Sequence, residues 1–380
     1  MRLLQALFFP PEQPGGVSSM IPYLQEKFAS DRWEMELFSL PKRIRGKGRE
    51  EVVFETFDWT QYGDSPVVQK YMQTYRDYLW WTRLRVQKPY DLIHAHHPIA
   101  ALAMKTVFPD TPVLQTIHSS YERELILNGR IEEGGAEHRF FLSIYRELEA
   151  KTDQLITVSE AFRRYMSPYI DHPDRIRIMP NGYDERRFKP VPHENEIPQL
   201  MCVCRLVPAK GLDVLLKACS LLKERNVPYV LHLIGDGPSR QELEDMAQKL
   251  GVYDDTIFYG YTLHPEEFMP FFDIFVLPSR AEAFGSVFAE AALCCLALVG
   301  TSVGGVPEQI EHGVNGLLVP PDDPAALADA LEQVIGDPAY RYELARTACE
   351  KAKSQYSLNR VAIELKRLYL SYEDRNRRSV

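Results

Sequence analysis

Glu282 and Glu290 stand at the two ends of "EAFGSVFAE", a stretch that otherwise reads as core. Two neighbouring carboxylates are the equipment for general acid and base catalysis, as in glycoside hydrolysis. Their surroundings predict something else. Glu282 follows the apolar run "IFVLPS" and falls in a loop, Gly285 and Ser286 suit a turn into a helix, and Glu290 then lies about one turn inside that helix. The acids occupy different elements, and the N–H groups of residues 285–287 lie at a helix start, where backbone donors favour an anion. Those donors could face an anion lying between the two acids.

Cations and glycines recur at comparable places. Arg205 and Lys210, in "RLVPAKG", follow the run "LMCVC" and open a helix at Gly211. A planar guanidinium fork beside a compact ammonium can neutralise a diphosphate, although for the pair taken alone surface salt bridging is the better reading. "IGDGPSR" places a glycine turn at residues 235–237, and Gly260 and Tyr261 follow a further run. Gly15 and Gly16 precede a helix, where they let backbone approach a ligand and leave N–H groups for an anion. The third glycine of GxGxxG and the lysine of a phosphate-binding loop are missing, which weakens dehydrogenase and NTPase readings. His118 follows "PVLQTI", where it suits donation to a sugar hydroxyl or a phosphate as well as a structural bond to backbone. His94 and His96 in "HAHHP" share one strand face, but no carboxylate or cysteine cluster completes a metal site.

The elements that must hold these residues form one rhythm. Apolar runs alternate with amphipathic stretches: "RLLQALFF", "EMELFSL", "EVVFETF", "DLIHAH", "PVLQTIH", "QLITVS" and "RIRIMP", then "QLMCVCRL", "YVLHLIGDG", "TIFYGY", "IFVLPS", "LALVGT" and "NGLLVP". That is the pattern of parallel sheets covered by helices, and both halves read as doubly wound α/β units. At 380 residues, two domains are expected. The Pro-rich, charged stretch at residues 181–199 reads as the linker, with a boundary near residue 190. The domains are then residues 1–190 and 191–357, followed by a helical apolar stripe at 358–380. In such sheets ligands bind beyond the carboxyl ends of strands, and two facing sheets would line a cleft.

Composition narrows the partners. A net charge of −9 and a pI near 5.7 argue against a general nucleic-acid binder. The basic run "KRIRGKGRE" at residues 42–50 reads as a solvated loop or as an edge for an acidic acceptor or an anionic membrane. Residues 75–88 read as a helix packed on its own sheet or as an interfacial helix carrying Trp80 and Trp81. The opening "MRLLQALFFPPEQPGG" is too short for a signal peptide or a span, so a cytoplasmic location is expected. The six cysteines show no framework spacing and read as small buried thiols.

Taken in order, "GG", "RLVPAKG", "GDG", "EAFGSVFAE", "GGVPE" at residues 304–308 and "HGVNGLLVPPDD" at residues 312–323 resemble family 4 of the retaining GT-B glycosyltransferases. That family includes sucrose-phosphate synthases and bacterial mannosyl- and N-acetylglucosaminyltransferases. The resemblance implies two Rossmann-like domains facing across a cleft, the second binding a nucleotide sugar and the first the acceptor, with the helix at 358–380 crossing back to the first domain. Arg205 and Lys210 would hold the donor diphosphate where other glycosyltransferases use a metal, so no metal or cofactor is expected. Glu290 would accept hydrogen bonds from the ribose and Glu282 from the donor sugar. Ala283, Phe284, Gly285 and Ser286 would contact sugar or phosphate through backbone, with Gly235 and Tyr261 completing the donor set. His118 would line the reaction centre and touch the transferred sugar, and Gly15 and Gly16 would close on the donor phosphates. A UDP-sugar donor and a small soluble hydroxyl acceptor are expected, in a monomer or homodimer; a nucleotide-sugar binder without turnover and a membrane-associated enzyme with a lipid acceptor are the alternatives. The acid pairs Asp254–Asp255 and Asp322–Asp323 read as turn chemistry. Two departures stand out: Cys204 where the family has glycine, which puts a bulkier side chain beside the diphosphate, and "CLALV" at residues 295–299, a packing change.

Overall fold

A computed structural model describes residues 1–8, 16–29, 33–41, 46–48, 51–86 and 88–378. The chain forms two compact units, Met1–Gly182 with Leu358–Val380, and Tyr183–Ser357.

In the first unit, β1 (Arg2–Ala6), β2 (Glu34–Phe38), β3 (Leu92–Ala95), β4 (Val113–Ile117), β5 (Gln154–Thr157) and β6 (Arg177–Ile178) make one parallel sheet in the order β2-β1-β3-β4-β5-β6. In the second, β7 (Gln199–Val203), β8 (Val230–Ile234), β9 (Thr256–Gly260), β10 (Ile274–Leu277), β11 (Ala297–Thr301) and β12 (Leu317–Val319) make another, in the order β12-β11-β10-β7-β8-β9. β3, β4, β10 and β11 are buried along their whole length, which is why each reads as a near-continuous apolar run without alternation.

The last helix, Leu358–Arg378, belongs to the first unit. Leu358, Val361, Ala362, Leu365, Tyr369 and Tyr372 recur at helical spacing and pack with Leu3, Leu24, Phe28, Leu92 and Leu114. The end of the chain therefore closes the core that its beginning opens.

One expected strand does not form. Residues 51–57, "EVVFETF", take no regular element. The buried carboxylate of Glu147 accepts from the backbone N–H of Glu55 at 2.9 Å and of Thr56 at 2.9 Å, and from the Thr56 hydroxyl at 2.9 Å. These backbone donors are satisfied by a side chain, so alternation alone does not recruit them to a sheet.

Residues 66–85 form a helix that buries Tyr75, Tyr78 and Leu79 against its own unit, while Trp81 Nε1 donates to Ser39 O at 3.2 Å. Gly15 and most of the basic run at residues 42–50 lie outside the described residues. No helix among the described residues is long and apolar enough to cross a membrane.

Candidate active site

The carboxyl ends of β7 and β10 carry the charged part of the second unit. After β7 the chain runs through Cys204 and the exposed Arg205, makes a short turn at Pro208–Lys210 and enters the helix Leu212–Glu224. After β10 it runs through Ser279 and Glu282 to Gly285, where the helix Ser286–Leu293 begins. Lys210 Nζ donates to Glu282 Oε1 at 2.5 Å, and Ser279 Oγ donates to the same oxygen at 2.8 Å. Oε2 of Glu282 accepts nothing from the described residues, so one lobe of the carboxylate remains for a ligand hydroxyl. Burial alone would pull the Lys210 ammonium down; the Glu282 carboxylate reverses that and holds it above its usual value, so it stays charged.

Backbone geometry fixes Glu282. A Cβ on Gly304 (φ +50°) would stand 1.6 Å from Glu282 O, so only glycine lets the "GGVPE" turn come this close. The N–H of Gly305 then donates to the same carbonyl at 3.2 Å. Gln309 holds the next stretch by donating to Phe284 O and to Gly285 O, the latter at 3.2 Å, and Asn315 Nδ2 donates to Gln309 O at 2.9 Å. "GGVPE" and "HGVNG" thus scaffold the segment that carries Glu282. Phe284 is buried against Tyr356, with ring centroids 5.3 Å apart, so only its backbone can meet a ligand.

Arg280, absent from the expected site, ties the same region together. Its guanidinium donates to both carboxylate oxygens of Asp213 at 2.8 and 2.9 Å, to Asp322 at 2.7 Å and to Pro208 O. Asp323 accepts from Ala326 N at 2.9 Å as the cap of the next helix. Asp255 pairs with Lys223 at 2.6 Å. Among the described residues no group of three or more His, Cys, Asp or Glu could hold a metal ion.

Glu290 keeps different company. It is part-buried one turn into Ser286–Leu293, and its carboxyl accepts no hydrogen bond from the described residues. Burial, then the nearby Glu266 charge, pushes it up to about 8, against an opposing pull from Arg187. Arg187 itself pairs with Glu266 Oε1, and the buried Glu266 Oε2 has no partner. Among the described residues Glu282 and Glu290 therefore share no hydrogen-bond partner. On the other side of β7, the N–H of Gly235 donates to Gly260 O at 2.8 Å, and a Cβ on Gly235 (φ +145°) would stand 1.8 Å from Cys204 O. Tyr261 follows Gly260 with 59% of its surface exposed. Cys204 Sγ lies 3.8 Å from Cys202 Sγ.

In the first unit Gly16 opens the helix Gly16–Ala29, and His118 stands just beyond β4. Both ring nitrogens of His118 are engaged: Nδ1 with Asn181 Oδ1 at 3.0 Å and Nε2 with His96 Nδ1 at 3.0 Å. His96 Nε2 meets Gln5 Oε1 at 2.8 Å, and Gln5 Nε2 meets Tyr369 OH at 3.2 Å. His94 is bonded to Tyr369 OH at 2.6 Å and to Thr116 Oγ1 at 2.7 Å, so both ring nitrogens are taken by the fold. Burial lowers His118 to about 4, opposed by the bond to Asn181, and lowers His94 to about 3, helped by His118. It lowers His96 well below its usual value.

Two doubly wound parallel-sheet units, the second with a cation–carboxylate cluster at its strand ends, define a two-unit α/β architecture. A sequence model described as "Glycosyl transferases group 1" matches residues 184–355, and one described as "Glycosyltransferase Family 4" matches residues 14–187. A glycogen synthase of Mycobacterium tuberculosis is 31% identical over 294 residues, covering 74% of this chain and 69% of that one. A D-inositol 3-phosphate glycosyltransferase of Thermomonospora curvata is 28% identical over 295 residues, covering 70% and 68%. Among solved structures, sucrose-phosphate synthase from Thermosynechococcus elongatus superposes with a TM-score of 0.79 at 20% identity, covering 98% of this chain and 99% of that one. Anabaena HepE in complex with UDP and glucose superposes with a TM-score of 0.71 at 20% identity, covering 98% and 100%. The chain belongs to the group 1, family 4 glycosyltransferases and has the GT-B fold.

Proposed function

We propose that the protein is a metal-independent, retaining glycosyltransferase that moves a hexosyl or N-acetylhexosaminyl group from a UDP-sugar to the hydroxyl of a small soluble acceptor. The observation that carries this is the Lys210–Glu282–Ser279 cluster at the ends of β7 and β10, a fixed positive charge beside a carboxylate with one free oxygen. Lys210 and Arg205 neutralise the diphosphate as charge develops on it, which is the work a metal does elsewhere. Glu282 accepts from a sugar hydroxyl through Oε2 and Glu290 from the ribose. The backbone of Ala283, Phe284, Gly285 and Ser286, with Gly235 and Tyr261, completes the donor site.

The bond from the anomeric carbon to the β-phosphate oxygen breaks with its electron pair going to UDP. The acceptor hydroxyl forms the new bond on the same face and loses its proton to the departing phosphate oxygen. His118 contributes from the first unit by orienting the sugar; as a ring held neutral, it is not the acid. The UDP-bound HepE relative in fold supports the choice of base. The inositol phosphate glycosyltransferase relative supports a small polar acceptor.

The test is incubation with a panel of UDP-, GDP- and ADP-sugars, with and without chelator, followed by NMR of the first-formed free sugar. The proposal expects slow UDP-sugar hydrolysis, unaffected by chelator, that releases the anomer of the donor. Release only with added divalent metal, or of the inverted anomer, sinks the mechanism. Binding of UDP without release from any donor favours a non-catalytic binder.

A further inference from the structure

The transfer scheme uses His118 but none of the groups behind it, which form one continuous run of hydrogen bonds through the first unit: Asn181, His118, His96, Gln5, Tyr369, His94, Thr116. It begins at the end of β4, crosses the ends of β3 and β1, and reaches the last helix at Tyr369. Gln5, His94 and Tyr369 are almost wholly buried, so water does not complete their hydrogen bonds.

The rings along it are neutral. A neutral imidazole has one N–H and one bare nitrogen, so each ring must donate on one side and accept on the other. Hydroxyls do both, and a primary amide can turn over without changing shape. The whole run must therefore point one way. If Gln5 Oε1 accepts from His96 Nε2, His96 Nδ1 is bare, His118 Nε2 carries the proton and His118 Nδ1 is bare. If Asn181 Oδ1 accepts from His118 Nδ1, every bond reverses, and Gln5 must offer its NH2 to His96 and its oxygen to Tyr369. The oxygens of Gln5 and Asn181 call for opposite directions, so one of the two amides turns over. In the first direction the Tyr369 phenol accepts from Gln5; in the second it donates.

We propose that Tyr369, on the last helix, is coupled through Gln5 and His96 to the choice of ring nitrogen that carries the proton on His118, making that helix a positioning element of the first-unit centre. Without the phenol, Gln5 would bury either an unbonded oxygen or an unbonded NH2 group, and the two do not cost the same. The balance between directions then shifts at His118, three links away. The consequence for sugar transfer rests on the role proposed above for His118; the tautomer does not.

The experiment is long-range 1H–15N NMR of full-length, 15N-histidine-labelled protein, with the His118 signals assigned by their loss in His118→Gln. In Tyr369→Phe the ratio of Nδ1–H to Nε2–H forms of His118 should change by about fivefold or more, the scale of one neutral hydrogen bond. Gln5→Met cuts the run at a second link and should shift the same ratio, which keeps the test open if Tyr369→Phe does not fold. Tyr372→Phe removes a hydroxyl of the same helix that donates elsewhere, to Asp153 O at 3.2 Å, and should leave the ratio alone. An unchanged ratio in folded Tyr369→Phe or Gln5→Met overturns the proposal, even if turnover falls. A shifted ratio in a protein that turns over no nucleotide sugar leaves the line standing and removes only the proposed function.

Discussion

The two units hold their polar groups by opposite means. In the second, Lys210 keeps its charge because Glu282 answers it, and Arg280 stays charged between Asp213 and Asp322. In the first, His94, His96 and His118 give up charge on burial and keep hydrogen bonds instead. A site proposed to take a diphosphate would need fixed cations ready before the ligand arrives, because preorganised charge needs no rearrangement during reaction. A centre that only orients neutral hydroxyls is better served by groups whose direction, and not charge, is set. Each strategy breaks under different substitutions.

The largest loss is expected from the charged side. Lys210→Ala should lower donor turnover roughly 100- to 1,000-fold, the scale of removing one transition-state donor. A loss under about tenfold in steady-state donor hydrolysis would take Lys210 out of the diphosphate site. Gly304→Ala and Gly235→Ala come next. Each new methyl would meet a carbonyl oxygen, at 1.6 Å from Glu282 O or 1.8 Å from Cys204 O, and the obstacle is backbone that cannot swing aside. Either change should cost about 2–4 kcal/mol in urea unfolding. A near-neutral result would mean that the approach is not fixed.

How much of this contrast can be read without coordinates depends on sequence distance. Strands announce themselves because burial on both faces writes contiguous apolar runs, and twelve of those expected are present. Residues 51–57 mislead because their donors are taken by Glu147, 91 and 92 positions away. Glu282 and Glu290 are legible as members of different elements, since a glycine turn separates them. Lys210 meeting Glu282 is not, because the partners are 72 positions apart. Still less visible is Gln5 bonded to Tyr369 across 364 positions, and nothing in the spacing of "HAHHP" points to a phenol on the last helix. The scaffold roles of Gly304 and Asn315 had a signal in "GGVPE" and "HGVNG", but a motif says that residues matter without saying what they hold, and Gln309 lies between the two.

Opposite pH signs sharpen the comparison. Glu290 has a raised folded pKa, about 8 against 4.5, so its contribution to stability is complete below 4.5 and is lost as pH rises through 8. His94 and His118 have depressed values, about 3 and 4 against 6.5, so their contribution is present above 6.5 and is lost as pH falls toward 4. Glu290→Gln should flatten the alkaline limb of a plot of unfolding free energy against pH and leave the acid limb. His94→Gln should do the reverse. On the proposed role of the Glu290 carboxylate as acceptor for the ribose hydroxyls, UDP affinity should rise by up to about tenfold per pH unit between pH 6 and 8. Isothermal calorimetry reads this directly, and a slope that survives in Glu290→Gln assigns the proton to another group.

The smallest effect is expected at Cys204, beside one of the most sensitive positions. What the donor loop requires there is the Cys204 carbonyl pressed against Gly235, and that is backbone. The thiol makes only a weak contact with Cys202 Sγ at 3.8 Å. Cys204→Gly, which installs the residue that the family resemblance implies there, should therefore change UDP affinity by less than about threefold, under one hydrogen bond in energy. It should lower stability by about 0.5–1 kcal/mol, because glycine loses more freedom on folding. A tenfold gain in affinity would show the thiol intruding on the diphosphate, and the tolerance of position 204 would then depend on its side chain after all.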